Sequence, residues 1–190
     1  MVREIIIFPD AVLRRVCEPV TRFDASLKQL LDDMEHTMMA TRGAGLAAPQ
    51  IGHPLRAVVL LVTREEVPEG ETPFEVLRLV NPVIVERRGA QIGKEGCLSF
   101  PNHFDTVRRA QWVRVEAQDE RGNKLEVGGD GYLARALQHE LEHLDGVLFV
   151  DHLSLLKRNQ VSTKFKKAKA RGLRYSADKP EPQDFTIAPS

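Results

Sequence analysis

Apolar residues recur at helical spacing early in the chain and predict a first helix over residues 25–41. Asp24 is a suitable N-cap for this helix, and Gly43 is suited to its C-terminal end. A second run at near-helical spacing predicts a helix over residues 132–144, followed by Gly146. The apolar positions are Leu27, Leu30, Leu31, Met34 and Met38 in the first helix, and Ala134, Leu137 and Leu141 in the second.

Between these helices the pattern changes to short apolar or alternating runs, which predict strands. Pro82 interrupts the second of these runs, and residues 119–123 carry the signal of a hairpin turn. Residues 1–23 are predicted to be irregular because Pro9 and Pro19 break any long element. The predicted strands cover residues 57–62, 76–85, 106–117 and 124–127.

These elements predict the α+β fold class, with antiparallel β-sheets packed around a central helix, an N-terminal helix and a C-terminal helix. The C-terminal helix begins after Ser154 and ends near Gly172. At 190 residues the chain suits one domain, which we place at residues 1–172. Residues 63–73 are predicted to form an exposed acidic loop, and residues 173–190 a disordered tail rich in proline and polar residues.

Composition places the chain among ordinary globular proteins. Hydrophobic residues make up 42% and charged residues 28% of the sequence. No apolar run approaches the ~20 residues of a membrane span, and the first residues do not resemble a signal segment, so we expect a cytoplasmic protein without membrane contact. The two cysteines, Cys17 and Cys97, are too few for a disulfide framework. We interpret Cys17, among apolar neighbours, as a small buried residue.

Charge is balanced overall but unevenly distributed. The formal net charge is zero, yet residues 157–174 contain eight basic side chains and no acidic one. Such a basic helix can contact nucleic acid through phosphate groups. The alternative is a solvated amphipathic helix whose apolar residues dock on the core. Those residues are Leu155, Leu156, Val161 and Phe165.

The candidate chemistry is concentrated in the second helix. His139 and His143 are four residues apart, a spacing that stacks two side chains on one helix face, about 5–6 Å apart at Cβ. Two imidazoles so placed can bind one divalent metal, and Glu140 can then act as general base. Two histidines and a glutamate on a surface helix can also be solvated polar residues, so the motif needs support from elsewhere in the chain.

A catalytic metal site of this kind keeps three protein ligands and one open position. Cys97, in a glycine-flanked turn, is the best candidate for the third ligand, and an acidic residue is the alternative, as in metallopeptidases. Cys97 could instead be a nucleophile with His139 as its base. A purely structural metal module is a further alternative, although such a site usually has four protein ligands.

A glycine-rich stretch over residues 43–52 lacks the lysine of a phosphate loop. We interpret it as a loop whose backbone approaches a ligand, with Gln50 as a possible donor; an ordinary turn is the alternative. Three motifs now stand in order along the chain. They are GAGLAAPQ at residues 43–50, EGCLS at 95–99 and QHELEH at 138–143.

Together these motifs resemble the GxGLAAxQ, EGCLS and QHExDH patterns of the peptide deformylase family. The resemblance extends over most of the chain, from Pro9 to Ser154. It implies a metal-dependent hydrolase that removes the formyl group from the N-terminal formylmethionine of new polypeptides and releases formate.

Carried over residue by residue, the resemblance also implies roles in the site. Cys97, His139 and His143 look like the metal ligands, and Glu140 looks like the general acid and base. Gln50 and the backbone N–H of Leu98 look like the oxyanion donors. The residues implied in binding the substrate main chain and the methionine side chain are Ala44, Gly45, Gly96, Tyr132, Arg135 and Ala136.

The chain departs from the family pattern at several positions. Glu142 replaces the usual Asp, and we predict that it pairs with Arg109 rather than lying on an exposed face. Ala44 replaces a larger aliphatic residue. Arg135 should extend its stem along the pocket with its charged end in water, and Gly93 should widen the mouth of the pocket.

The family resemblance implies ferrous iron as the working metal, while zinc, nickel and cobalt also suit one cysteine and two histidines. It implies N-formylmethionyl nascent peptides as the substrate. The basic helix over residues 157–174 could then bind ribosomal RNA near the exit of the nascent chain. No DNA partner is expected.

Overall fold

A computed structural model of the chain describes residues 1–63 and 73–172, and within these ranges it contains three α-helices and seven β-strands. The predicted acidic loop lies almost wholly outside these ranges, and so does the predicted tail. The helices are α1 (Ala25–Ala40), α2 (Gly131–Leu144) and α3 (Leu155–Ala170). The strands are β1 (Gly45–Ala47), β2 (Ala57–Thr63), β3 (Phe74–Arg88), β4 (Gln91–Cys97), β5 (Phe100–Arg109), β6 (Trp112–Gln118) and β7 (Lys124–Asp130).

The strands form two antiparallel sheets, which confirms the predicted α+β class. Five strands pair in the order β1-β2-β3-β6-β7, and β4 pairs with β5 in a separate two-stranded sheet. The apolar face of α2 packs on the larger sheet through buried residues that include Ala134, Leu137 and Leu141. The predicted central helix therefore lies where one of its faces is buried and the adjacent face can hold polar groups.

Helix α1 begins as predicted, because the Asp24 side chain accepts hydrogen bonds from the N–H groups of Ser26 and Leu27. Its predicted apolar stripe is buried. The left-handed residue after the helix is Arg42, with a φ of 53°, rather than Gly43. Gly43 is needed for a different reason, since a Cβ there would lie 2.9 Å from the Leu98 Cδ1 atom.

Two strand predictions were wrong. Strand β3 continues through Pro82. Proline has no N–H to donate, but the pairing of β3 with β6 is irregular between Val80 and Val83, so no hydrogen bond from Pro82 is required there. At this irregularity Asn81 has a φ of 51°, and its Nδ2 donates to the Val20 carbonyl at 2.9 Å.

Residues 106–117 are not one strand but the end of β5 and most of β6, which belong to different sheets. Gln138 of α2 forms hydrogen bonds to the backbone where the chain passes from one sheet to the other. Its Oε1 accepts from the Ala110 N–H at 3.0 Å, and its Nε2 donates to the Ala110 carbonyl at 3.1 Å. Apolar spacing could not indicate this break, because it depends on a contact with a helix later in the chain.

Short 3-10 helices complete the described parts of the chain. The segment Ala11–Arg14 lies within the region predicted to be irregular, and Phe149–His152 follows α2. The glycine-rich stretch is not simply a loop, since it contains β1 and the 3-10 helix Ala48–Ile51. Gly45 of β1 pairs with Leu60 of β2, so this stretch forms an edge of the five-stranded sheet.

Helix α3 docks on the core through Val161 and Phe165, which are both buried. In the alternative of an amphipathic helix Leu155 and Leu156 would dock as well, but they are 64% and 69% exposed because they lie on the first turn, away from the core. Cys17 is buried as predicted. Within the described ranges, none of the helices combines the length and the apolar character that a membrane span requires.

Candidate active site

The second helix and the end of β4 bring three metal-binding side chains together. His139 and His143 of α2 have ring centroids 5.1 Å apart, and Cys97 Sγ lies 3.4 Å from His143 Nε2. One ligand atom from each of the three residues lies within 4.8 Å of the others, and all three residues are buried. The structure therefore assembles the three predicted ligands, which come from two separate sequence motifs.

This group of residues fits a divalent metal by its chemistry. A thiol and two imidazoles are the donors preferred by zinc and by other divalent metals of intermediate softness. The Glu140 Oε2 atom is buried beside this cluster and has no hydrogen-bond partner within the described residues. Because a buried carboxylate oxygen requires a partner, its position fits a group that arrives with the metal or the substrate.

Glu95 orients the first histidine ligand. Glu95 Oε2 lies 3.0 Å from His139 Nδ1, which leaves the other ring nitrogen of His139 for the metal. Glu95 also accepts two hydrogen bonds from Arg109, at 2.9 and 3.0 Å. Burial by itself raises the pKa of Glu95, but the hydrogen bonds from His139 and Arg109 outweigh it and hold the pKa at about 2.

The predicted contact between Glu142 and Arg109 is confirmed, with Arg109 Nη1 lying 2.6 Å from Glu142 Oε1. Glu142 also contacts His152, 2.9 Å from its Nε2 atom. The alternative of an exposed surface position for Glu142 is wrong, since its side chain is only 26% exposed. Glu142, which replaces the usual Asp, is therefore connected to His139 through Arg109 and Glu95.

Three residues in or beside the site were not singled out from the sequence. Glu95 belongs to the EGCLS motif, so its position two residues before a ligand was an available signal. His152 lies in the 3-10 helix after α2, and nothing in its local sequence distinguishes it. Ser99 accepts a hydrogen bond from Gln50 Nε2 at 3.2 Å, and it too was visible only as part of a motif.

Gln50 presents its amide nitrogen to the cluster. Its Oε1 accepts from the Ala47 N–H at 2.8 Å, which fixes the orientation of the amide group. Its Nε2 lies 3.5 Å from Cys97 Sγ. A donor is therefore held beside the candidate metal ligands by the 3-10 helix that follows β1.

Glu140 lies between α2 and β1 in a tightly closed space. A Cβ added to Gly45 would lie 2.6 Å from Glu140 Oε1, so only glycine lets the strand approach the carboxylate this closely. Burial raises the pKa of Glu140 to about 7. A carboxyl group with a pKa near neutrality can both accept and donate a proton at physiological pH.

A cavity of about 60 Å³ adjoins these groups. Its walls include Tyr132, Arg135 and Ala136, one to two turns before His139 on α2, together with the glycine-rich stretch and the end of β4. All the site residues predicted from the sequence except His143 line this cavity, and His143 is in contact with the lining residue Cys97. Those lining residues are Ala44, Gly45, Gln50, Gly96, Cys97, Leu98, Tyr132, Arg135, Ala136, His139 and Glu140.

Gly93 was predicted to widen the mouth of this cavity, and that prediction was wrong. The guanidinium of Arg135 occupies the space, and a Cβ at Gly93 would lie 1.5 Å from Arg135 Nη1. The charged end of Arg135 is thus held against β4 rather than extended into water. Its Nε atom is buried without a hydrogen-bond partner in the part of the chain that the structure describes.

Comparison with known proteins agrees with this geometry. Residues 2–159 match the family model of polypeptide deformylase. A peptide deformylase of Wolinella succinogenes is 43% identical over 163 residues, which cover 86% of this chain and 95% of the relative. A peptide deformylase of Mesorhizobium japonicum is 46% identical over 167 residues, covering 87% and 92%.

Solved structures match over similar lengths. A peptide deformylase from Legionella pneumophila has a TM-score of 0.78 and 45% identity, covering 91% of this chain and 100% of that one. The Ehrlichia chaffeensis enzyme in complex with actinonin has a TM-score of 0.80 and 39% identity, covering 88% and 98%. The chain therefore belongs to the polypeptide deformylase family of metal-dependent hydrolases.

Proposed function

We propose that this protein hydrolyses the formyl group from the N-terminal formylmethionine of newly made polypeptides, releasing formate and a free amine. The observation that carries the proposal is the buried cluster of Cys97, His139 and His143 with Glu140 and Gln50 beside it, in a chain of this family. We assign this activity to a single catalytic domain at residues 1–172.

Cys97, His139 and His143 hold one divalent metal ion in this proposal. Ferrous iron is the ion we favour, and zinc, nickel and cobalt suit the same ligands. When bound, the ion lowers the pKa of water and polarises the formyl carbonyl. Glu95 supports the site by holding the His139 ring through its Nδ1 atom.

Glu140 moves the protons of the reaction. Its carboxylate accepts a proton from the attacking water, whose oxygen forms a bond to the formyl carbon. When the C–N bond breaks, the same carboxyl group donates that proton to the departing nitrogen. A pKa of about 7 allows Glu140 to act in both directions near neutral pH.

Gln50 and the backbone N–H of Leu98 stabilise the negative charge that develops on the formyl oxygen. The amide group of Gln50 is already oriented by the Ala47 N–H, so it costs no reorganisation when the charge forms. Removing one such donor typically lowers kcat by about 10²–10³-fold.

The substrate main chain lies along β4, bound by the backbone of Ala44, Gly45 and Gly96. Among the strands that the structure describes, β4 pairs only with β5, so its other edge is available for an added strand. Tyr132, Arg135 and Ala136 line the space for the methionine side chain.

The decisive experiment measures formate release from formyl-Met-Ala-Ser by anaerobically purified protein, with metal analysis of the same sample. We expect turnover with near one metal per chain, and loss of both after chelation or in Cys97→Ser. Glu140→Gln should keep the metal and lose about 10²–10⁴-fold in turnover, the usual contribution of a general acid–base group. A matched control is Glu126→Gln on the exposed side of β7.

Three outcomes would contradict this proposal or a part of it. A metal-loaded protein that releases no formate would have another activity, and cleavage of internal peptide bonds would indicate a peptidase. Near-normal turnover in Glu140→Gln would remove the assigned role of Glu140. Metal retained in Cys97→Ser would remove the assigned ligand.

We further infer that the enzyme works in the cytoplasm, where nascent chains emerge, and that α3 binds ribosomal RNA. Lys164, Lys166 and Lys167 of α3 are exposed. Lys157 is exposed as well, although it forms an ion pair with Asp105 at 2.7 Å. Deleting α3 would remove the buried Phe165, so charge reversal of exposed lysines such as Lys166 and Lys167 is the better test. Salt-sensitive ribosome binding that disappears in this variant supports the inference, and unchanged binding refutes it.

A further inference from the structure

Arg135 lines the cavity and is held in place by the residues packed against it. Its guanidinium fills a space on β4 that exists only because residue 93 is glycine, since a Cβ at this position would lie 1.5 Å from Nη1 and 2.6 Å from Cζ. The Tyr132 ring lies on its other side, with the guanidinium carbon 5.5 Å from the ring centroid. The positive charge of Arg135 is therefore located by packing, one helical turn before His139.

This charge has no carboxylate partner within the described residues, where no ion pair involves Arg135. The two acidic side chains that line the same cavity are otherwise engaged. Glu95 binds Arg109 and His139, and Glu140 lies against Gly45. An anionic group of a ligand beside Arg135 would therefore meet a cation that is already partly buried and already oriented.

The position of this cation relative to a bound peptide follows from strand geometry, and this step rests on the proposed function. In an extended peptide, the side chains of the first and third residues point to the same face, about 7 Å apart. Gly93 and Glu95 of β4 are also two residues apart and face α2. If the first residue lies level with Glu95, beside the candidate metal ligands, the third lies level with Gly93 and Arg135.

We propose that Arg135 is a specificity-determining residue that favours an acidic side chain at the third position of the formylated peptide. The carboxylate of such a residue accepts hydrogen bonds from the guanidinium, whose stem still contributes to the wall of the methionine pocket. A basic residue at the same position is disfavoured by repulsion between like charges.

The test compares kcat/KM for formyl-Met-Ala-X-Ala amides in which X is Glu, Gln or Lys, at low and high salt. We expect about a three- to fivefold preference for Glu over Gln, the size typical of a partly exposed ion pair, decreasing as salt increases. Arg135→Gln should abolish this preference, and Arg135→Glu should reverse it in favour of Lys.

Two further variants distinguish the effect of the position of the Arg135 guanidinium from the effect of net positive charge near the cavity. Gly93→Ala keeps Arg135 but fills the space that its guanidinium occupies, so the preference should fall although the net charge is unchanged. Lys94→Gln removes the other cation that lines the cavity. Because Lys94 alternates with Gly93 and Glu95 along β4 and lies over the Phe104 ring, 5.0 Å from its centroid, this change should leave the Glu/Gln ratio unchanged.

Equal kcat/KM values for the three peptides in the wild-type protein would overturn the inference while leaving deformylase activity established. A preference lost in Lys94→Gln but retained in Arg135→Gln would also overturn it. Absence of turnover with every peptide would instead contradict the proposed function, so the two failures are distinguishable.

Discussion

Arg109 is the residue on which the buried charges of the site depend. Its side chain is 2% exposed and contacts both Glu95 and Glu142. Because one positive charge compensates two carboxylates, one of which orients a candidate metal ligand, removing it affects stability and metal binding together. Arg114 of β6 is a natural comparison, since it also contacts two glutamates but is 37% exposed.

We expect Arg109→Ala to lower the free energy of unfolding by about 3–5 kcal/mol, because buried carboxylates lose their partner. Arg114→Ala should cost only a small part of that, since solvent screens its ion pairs. Urea unfolding of both variants, each with the same metal content, measures the difference. Equal losses would mean that burial does not govern the strength of these interactions.

Because of Cys17, the free energy of unfolding depends on pH in the alkaline range. Burial raises the pKa of its thiol from an ordinary value near 9 to about 11. The folded state thus holds the proton more tightly than the unfolded state, so this contribution is complete below pH 9 and is lost between pH 9 and 11.

Comparison of wild type with Cys17→Ala isolates this effect, because the other alkaline groups are common to both proteins. The free energy of unfolding of the wild type should fall more steeply between pH 9 and 11 than that of the variant. Parallel curves would show that the thiol titrates equally in the folded and unfolded states.

At the scale of elements, the site is formed where α2 meets β1 and β4. Strand β1 has only three residues, yet it brings Gly45 against Glu140 and leads into the 3-10 helix that holds Gln50. Strand β4 ends at Cys97 and carries Glu95. The relative placement of these short elements therefore controls the geometry of the groups assigned to catalysis.

We expect Gly45→Ala to reduce turnover by about 10²-fold, because its Cβ would lie 2.6 Å from Glu140 Oε1 and a displacement near 1 Å can have that effect. Gly128→Ala is the control, since a Cβ there makes ordinary contact with Trp112 at 3.5 Å. Circular dichroism should show both variants folded. Normal formate release by Gly45→Ala would indicate that Glu140 tolerates displacement.

At the scale of the whole molecule, aromatic packing joins the C-terminal helix to the rest of the protein. Phe100 of β5 lies 5.1 Å from Phe165 of α3 and 5.3 Å from Phe149, measured between ring centroids. Phe8 stacks on the same ring at 4.9 Å. Segments from both ends of the described chain thus share one hydrophobic cluster next to Cys97.

We expect Phe165→Ala to cost about 3–5 kcal/mol in the free energy of unfolding, as for other buried aromatic residues. Leu156→Ala, on the exposed first turn of α3, should change it by no more than about 0.5 kcal/mol. Thermal or urea unfolding measures both. A small effect of Phe165→Ala would show that α3 unfolds independently of the rest of the protein.

The sequence was sufficient to predict the features that depend on interactions between residues close together in the chain. The cap at Asp24 and the apolar stripe of α1 were predictable because they depend on residues three or four positions apart. The pairing of His139 with His143 follows from the same spacing. The family motifs added Cys97, Gln50 and Gly45, although these residues lie in three different elements.

The tertiary structure decided what depends on residues far apart in the chain. Gln138 binds the backbone at the break between β5 and β6. The guanidinium of Arg135 occupies the space beside Gly93. Arg109 contacts the carboxylates of both Glu95 and Glu142. In each case a polar side chain contacts a group that is distant in the sequence, and hydrophobic spacing carries no information about which group it contacts. The sequence by itself therefore determined the fold class and the family, while the placement of the charges around the site was decided by packing.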